Sequence, residues 1–292
     1  MATDNCVVCH TPLRPGRQAW HWRCAECGYE KAHLEAAINN QASESTLDER
    51  ARACALSSLR IENFKQLLTE VTVVQPAGGK LLDVGCAHGW FLDEARPYFD
   101  VLGIEPDHQV AAAAASVRRP IRVGYFPEAL DLEEKFDVIA FNDVIEHIPA
   151  IDLVLDECHR RLNANGKLVL NLPSSRGLFY RLSVLFSRVG LSGSFERMWQ
   201  VGLPSPHVHY FDSDNLVALL KKKGFLVRKT GNLASVHLKG LYKRLSFTKE
   251  NQSVVKNVLL YLAICCALPF IRLLPSDIIY VIAEPIQPSA KL

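Results

Sequence analysis

The chain has 292 residues, of which 49% are hydrophobic and 22% charged, and a formal net charge of +2. That apolar fraction excludes extensive disorder, and the near-neutral balance excludes a polybasic nucleic-acid coat while leaving room for a local basic patch. Nine cysteines are too few for a disulfide scaffold of this length, and four of them fall within the first 27 residues.

The N-terminus lacks a basic region followed by an apolar one, so no secretory signal is expected and the predicted setting is a reducing cytoplasm. Cys6-Val-Val-Cys9 is followed after fourteen residues by Cys24-Ala-Glu-Cys27. Two residues between paired thiols let both sulfurs turn toward one ion. Two such knuckles supply the four thiolates that suit tetrahedral Zn²⁺ at about 2.3 Å per bond. Iron would accept the same ligands. Gly28 fits the positive φ of a knuckle turn. A segment as short as 1–33 cannot bury a sufficient core, so the metal would supply its folding energy. Trp20 and Trp22 are expected to cover the thiols. Arg14, Arg17 and Arg23 are a modest basic set, which favours a structural or docking ribbon over a nucleic-acid reader.

Residues 34–75 read as a helical connector, with Leu56, Leu59, Phe64, Leu67 and Leu68 at roughly helical spacing. Pro76 to Gly79 punctuates the chain, and 76–292 alternates as an α/β domain. The stretch Lys80 to Trp90 begins as a short buried strand and turns at glycines, and Phe91 to Ala95 opens a helix. The pattern Asp83-x-Gly85-x-x-x-Gly89 is not that of dinucleotide binders, and an Asp before the first glycine suits a cationic ligand better than a phosphate. A second strand ends at Glu105, 22 residues after Asp83, where a carboxylate can accept hydrogen bonds from both hydroxyls of a ribose. Further strands are predicted at Ile121–Gly124, Phe136–Phe141, Gly166–Leu172, Phe225–Lys229 and Ile278–Ala283. Helices are predicted at Ile151–Leu162 and Ser213–Lys223. The sum is a doubly wound, mostly parallel seven-stranded sheet.

Leu82-Asp-Val-Gly-Cys-Ala-His-Gly89, Gly103-Ile-Glu-Pro-Asp107, Phe136-Asp-Val-Ile-Ala-Phe-Asn-Asp-Val-Ile-Glu-His147 and Gly166-Lys-Leu-Val-Leu resemble motifs of class I S-adenosylmethionine-dependent methyltransferases. The resemblance implies a Rossmann-like sheet of order 3-2-1-4-5-7-6 with its seventh strand antiparallel. It implies S-adenosylmethionine as cofactor, with Asp83, Gly85 and Gly89 around the methionine part and Glu105 on the ribose. Cys86 would be the small residue beside the cofactor, Tyr125 and Phe126 would flank the adenine, and Asn142 would face the methionine end. Many members carry an acidic residue near the adenine. This chain has Tyr125-Phe126-Pro127 there, so stacking or backbone contact is expected instead.

Methyl transfer from a sulfonium is an in-line displacement, so the protein aligns the nucleophile and excludes water. A hydroxyl nucleophile also needs a base, and His147 is the candidate; the alternative is a histidine that braces its loop. Asp143, Glu146 and His147 lie at i, i+3 and i+4, so one helical turn could present them together, with a fourth ligand from Pro206-His-Val-His209. Such a set could hold a second, divalent metal and ionise a substrate hydroxyl. Similar Asp/Glu-x-x-Glu-His arrangements bind metal in ubiquinone-pathway and small-RNA O-methyltransferases. The alternative is a loop clamp between Glu146 and His207 or His209.

Two stretches depart from the family pattern. Residues 176–205, with Arg181, Arg188, Arg197 and Trp199, are expected to form a lid over the acceptor. Residues 239–275 contain an apolar helix, because Val258 to Ile271 runs fourteen residues without a charge. That is shorter than the roughly 20 residues of a membrane span. Lys239, Lys243, Arg244, Lys249, Lys256 and Arg272 flank it, so 254–274 either lies on a lipid surface or packs on the sheet or on the Phe179-to-Phe186 segment, itself apolar and basic. The combined expectation is a cytoplasmic O-methyltransferase, peripheral at most to the inner face of the membrane. Its acceptor would be a glycan, a lipid-linked molecule or another small molecule. An RNA methyltransferase with the ribbon as reader is one alternative, but the charge balance speaks against nucleic acid. A non-catalytic cofactor-binding scaffold is another, and the intact first two motifs argue against it.

Overall fold

The structure is a computed structural model that describes residues 4–38, 46–238, 240–242, 254–271 and 273–287. Lys239, Lys243, Arg244, Lys249 and Arg272 lie outside the described residues, as do the side chains of Cys54, Leu56 and Lys256.

Three short strands open the chain: β1 (Arg14–Pro15), β2 (His21–Arg23) and β3 (Glu30–Ala32). Both knuckles flank this antiparallel ribbon, and Gly28 takes the left-handed turn after Cys27 at φ 75°. The connector is one helix, α1 (Thr46–Val74). Its Phe64 meets Phe91 edge-on at 5.3 Å, and Leu67, Leu68 and Val71 are buried. The α/β domain continues through β4 (Lys80–Val84), α2 (Trp90–Ala95), β5 (Asp100–Glu105), α3 (His108–Ala115), β6 (Ile121–Val123) and β7 (Phe136–Asn142). A 3₁₀ turn at Ile145–His147 leads to α4 (Ile151–Arg161) and β8 (Leu162–Pro173). The remaining elements are α5 (Leu178–Arg188), α6 (Gly193–Met198), β9 (His209–Tyr210), α7 (Ser213–Lys222), β10 (Phe225–Leu233), α8 (Val254–Ile271) and β11 (Ile278–Pro285).

The large sheet runs β6-β5-β4-β7-β8-β11-β10, with β11 antiparallel to both neighbours. Counted within the domain, this is the expected order 3-2-1-4-5-7-6. Its central strands are apolar runs because helices cover both faces. Asn163 to Gly166, read from sequence as a turn before the fifth strand, is instead a bulge inside β8: Phe136 pairs with Leu162 and Val138 with Lys167. Asn163 Nδ2 holds the bulge by donating to Asp137 at 2.8 Å.

The ribbon is built into the α/β domain. Strand β9 pairs with β3 and completes a four-stranded sheet β1-β2-β3-β9. Asn215 Nδ2 donates to the Cys27 carbonyl and Lys222 Nζ to that of Val7. Cys6, Cys24 and Tyr29 share one hydrophobic core with Phe211 and Leu216. Trp20, expected over the thiols, stacks on Phe195 at 5.9 Å and meets Trp199 at 5.6 Å, so it covers the 176–205 segment instead. No helix among the described residues is long and apolar enough to cross a membrane.

Candidate active site

The carboxyl ends of β4, β5 and β7 bring together Asp83, Gly85, Cys86, Gly89, Glu105 and Asn142. Gly85 and Gly89 hold φ of 66° and 74°, a region that favours glycine. A Cβ on Gly85 would lie 2.7 Å from Val144 Cγ2. The Glu105 carboxylate accepts one backbone N–H on each oxygen, from Ala87 at 2.8 Å and Asp107 at 2.9 Å. Each oxygen keeps further lone pairs, which matches a vicinal diol. Asp83 is buried and accepts from Asn142 Nδ2 at 2.8 Å, while Asn142 Oδ1 accepts from Asn171 Nδ2 at 2.8 Å. Burial pushes the Asp83 carboxyl up to about 7, and the Glu105 charge pushes the same way. A cationic ligand would oppose that rise, as its sulfonium or ammonium favours the ionised form.

Cys86 is buried with its Sγ against the Gly103 backbone, and burial raises its thiol, so it serves as a small packing residue rather than a thiolate. Phe126 stands in the loop after β6. Its ring is buried and meets Phe141 edge-on at 5.8 Å, in the core. The neighbouring Tyr125 is the exposed ring of that loop.

Behind this crevice lies a second cluster. Among the described residues, ligand atoms of Glu146, His147 and His207 fall within 4.8 Å of one another. Glu146 is 0% exposed, and neither of its oxygens has a hydrogen-bond partner. Nε2 of His147 and Nε2 of His207 each lie 3.9 Å from Glu146 Oε1. His147 Nδ1–H donates to the Pro206 carbonyl at 2.9 Å, which leaves Nε2 as the bare nitrogen. Burial lowers the His147 pKa and holds Glu146 well above the ordinary carboxyl range, with Asp143 adding to the rise. His207 also contacts Gln200 Nε2 at 2.8 Å.

Asp143 stands outside this trio. The expected helical turn is a single 3₁₀ turn that begins only at Ile145, so i, i+3 and i+4 do not share a face. Asp143 sits at φ 55°, with its N–H on the Asn171 carbonyl and its carboxylate 3.9 Å from Arg60. His209, the other candidate, turns to Tyr29 and the Ile148 carbonyl.

A cavity of about 220 Å³ is lined in part by Arg60, Asn63, Asp143, Asn171 and Gln200; Asn171 bonds Asn142 of the first cluster and Gln200 contacts His207 of the second. Arg60 and Asn63 come from α1, which sequence reasoning took only as a connector. Their signal was two polar residues three apart among Leu59 and Phe64.

In the ribbon, Sγ–Sγ distances are 3.3 Å for Cys9–Cys24, 3.5 Å for Cys6–Cys27 and 3.8 Å for Cys9–Cys27. A tetrahedron of zinc–thiolate bonds has edges of roughly 3.8 Å, whereas a disulfide needs about 2.05 Å. The four thiols therefore fit one tetrahedral ion.

Comparison with known proteins agrees with this geometry. Residues 49–230 match a family described as a methyltransferase domain. The chain is similar to the ubiquinone biosynthesis O-methyltransferase of Nitrobacter winogradskyi, at 32% identity over 37% of this chain and 44% of that protein. It is similar to the mitochondrial ubiquinone biosynthesis O-methyltransferase of Bos taurus, at 24% identity over 60% of this chain and 50% of that one. The chain thus spans about half or less of the length of these relatives. In fold it is similar to an S-adenosylmethionine-dependent methyltransferase from Thermotoga maritima, with a TM-score of 0.54 and 14% identity over 82% of this chain and 96% of that one. It is also similar to the plantazolicin methyltransferase solved with SAH, with a TM-score of 0.51 and 11% identity over 83% and 91% of the two chains.

Proposed function

We propose, for a chain that belongs to the class I S-adenosylmethionine-dependent methyltransferase family, that it O-methylates a hydroxyl of a glycan, a lipid-linked molecule or another small molecule. Asp83, Gly85, Gly89, Glu105 and Asn142 would hold S-adenosylmethionine, with Cys86 packed beside it. The cofactor supplies the electrophilic methyl group. The protein's part is to align the acceptor hydroxyl in the cavity beside Asn171 and exclude water around it. Cys6, Cys9, Cys24 and Cys27 would hold a structural Zn²⁺. A peripheral lipid contact through 254–274 belongs to the same reading.

The observation that carries O-methylation is the Glu146 carboxyl. It is fully buried without a hydrogen bond on either oxygen, beside the bare Nε2 of His147. An uncompensated buried carboxyl is costly, and a cation beside it removes the cost. Glu146, His147 and His207 would hold a divalent ion, which when bound acidifies a nearby hydroxyl. His147 is the catalytic residue of this set: the Pro206 carbonyl fixes its proton on Nδ1, so Nε2 is ready to act as a ligand or to take a proton.

Titration of Mn²⁺ into the zinc-loaded protein tests this. One binding event is expected that Glu146→Gln and His207→Ala abolish while S-adenosylmethionine binding persists. Absence of divalent binding would remove the ion from the reading. In that case a His147→Ala loss of turnover at unchanged cofactor affinity would still identify His147 as the base.

A further inference from the structure

Helix α5 is turned inside out. Its buried side chains are Tyr180 and Ser183, each 2% exposed. Its outward face carries Phe179, Leu182, Leu185 and Phe186, continued by Val189 and Leu191, with Leu185 at 51% and Val189 at 70% exposed. The inward polarity has a reason. Tyr180 Oη–H donates to Glu30 Oε2 at 2.6 Å, and the same oxygen contacts His21 Nε2 at 2.7 Å, so the lid is tied to the ribbon through its polar side. The apolar face has no such partner among the described residues.

Charge identifies what that face meets. From Ser174 to Phe195 the sequence holds Arg176, Arg181 and Arg188 and no acidic residue. Arg176 is occupied by Asp212 and Asp214. Arg181 and Arg188 are exposed and make no ion pair among the described residues. A second apolar surface adjoins the start of the helix. Asp277 caps α5 through the Phe179 and Tyr180 N–H groups, and Leu178 N–H donates to the Pro275 carbonyl. Leu273 and Leu274, which lead into Pro275, are exposed, as is Phe270 at the end of α8. An apolar stripe with no carboxylate of its own, edged by arginines that make no ion pair among the described residues, is the composition of a helix that lies in an anionic lipid interface.

We infer that the outward face of α5, with the end of α8, docks on an anionic lipid surface. The lid that carries this face also supplies Gln200 to the cavity wall, so docking brings the cavity to the lipid headgroups. This narrows the acceptor to an amphiphile that presents its hydroxyl at a lipid surface, and that narrowing rests on the proposed methyltransferase function; the docking does not.

The test is co-sedimentation of the full-length, zinc-loaded chain with phosphatidylglycerol/phosphatidylcholine vesicles and with pure phosphatidylcholine vesicles. Binding to the anionic vesicles is expected to exceed binding to the neutral ones. Arg181→Ala with Arg188→Ala should weaken it by roughly fivefold for each arginine. Leu185→Ser with Phe186→Ser should weaken it further. S-adenosylmethionine calorimetry on each variant monitors folding, because α5 makes no hydrogen bond or ion pair with Asp83 or Glu105 among the described residues. Equal binding to both vesicle types, or binding indifferent to these variants, overturns the inference. So does an α5-dependent dimer in sedimentation velocity, which would assign the face to a second copy of the chain. Loss of cofactor binding by the wild-type chain would instead count against the methyltransferase reading.

Discussion

The Tyr29 hydroxyl donates to His209 Nδ1 at 2.5 Å, joining the ribbon to the catalytic domain across 180 residues of sequence. The direction of this bond is fixed from the other side of the ring, where His209 Nε2–H donates to the Ile148 carbonyl at 3.0 Å. Burial holds the imidazole neutral, with its pKa lowered to about 4. Tyr29→Phe therefore leaves a buried acceptor empty. It should lower stability by about 1–3 kcal/mol in urea unfolding, with zinc content unchanged. Unaltered stability would show that the bond contributes nothing net.

Zinc removal should act on more than the first 33 residues. Strand β3 pairs with β9, and Val208, just before β9, accepts from Ala32 N–H and donates to the Glu146 carbonyl. Metal analysis should give about one zinc per chain, and Cys24→Ser should abolish it. The same variant should shift the near-ultraviolet signal of Trp20 and Trp199, which pack together at the ribbon's edge. A folded, metal-free wild-type chain would refute the zinc site.

The Asp83 carboxyl sets a pH dependence. In the folded protein it holds its proton up to about 7, against an ordinary value of 3.8. The folded state therefore binds more protons than the unfolded one between those values. Stability falls as pH rises through that window, by roughly 1.4 kcal/mol per unit at most, and levels off above it. The groups that face Asp83 are Asn142 and, through its charge, Glu105, whose own raised pKa acts in the same direction. A cationic cofactor favours ionised Asp83, so S-adenosylmethionine should bind more tightly as pH passes about 7. Asp83→Asn should flatten both profiles; a cofactor affinity indifferent to pH in the wild type would contradict this.

Glu105→Ala should weaken S-adenosylmethionine binding by about tenfold or more in calorimetry, because charge-assisted hydrogen bonds are the strong ones. The loss includes the Ala87 and Asp107 N–H groups, which the carboxylate now satisfies. Binding unchanged in this variant would move the ribose elsewhere.

The sheet was legible because its strands are short apolar runs set apart by glycine turns, and the acidic strand ends at Asp83 and Glu105 fall at fixed offsets. The zinc knuckles were legible for the same reason: their spacing is local. What sequence could not give depends on contacts between distant segments. The sequence offers His207 and His209 equally as partners of Glu146 and keeps Asp143 in the set, and only the tertiary structure selects His207. The loop position of Phe126 is readable in the sequence, while its edge contact with Phe141 is a tertiary fact. The two-residue strand β9 is too short for any periodicity, and only its pairing with β3 defines it.

That pairing also orders the birth of the protein. The knuckles leave the ribosome before β9 does, and the outer edge of β3 stays open until His209 and Tyr210 have been made. Until then the nascent chain presents an unpaired strand edge, a template for wrong partners. Glu30 and Lys31 put opposite charges on that edge, which makes it a poor match for a uniform apolar strand before its own arrives.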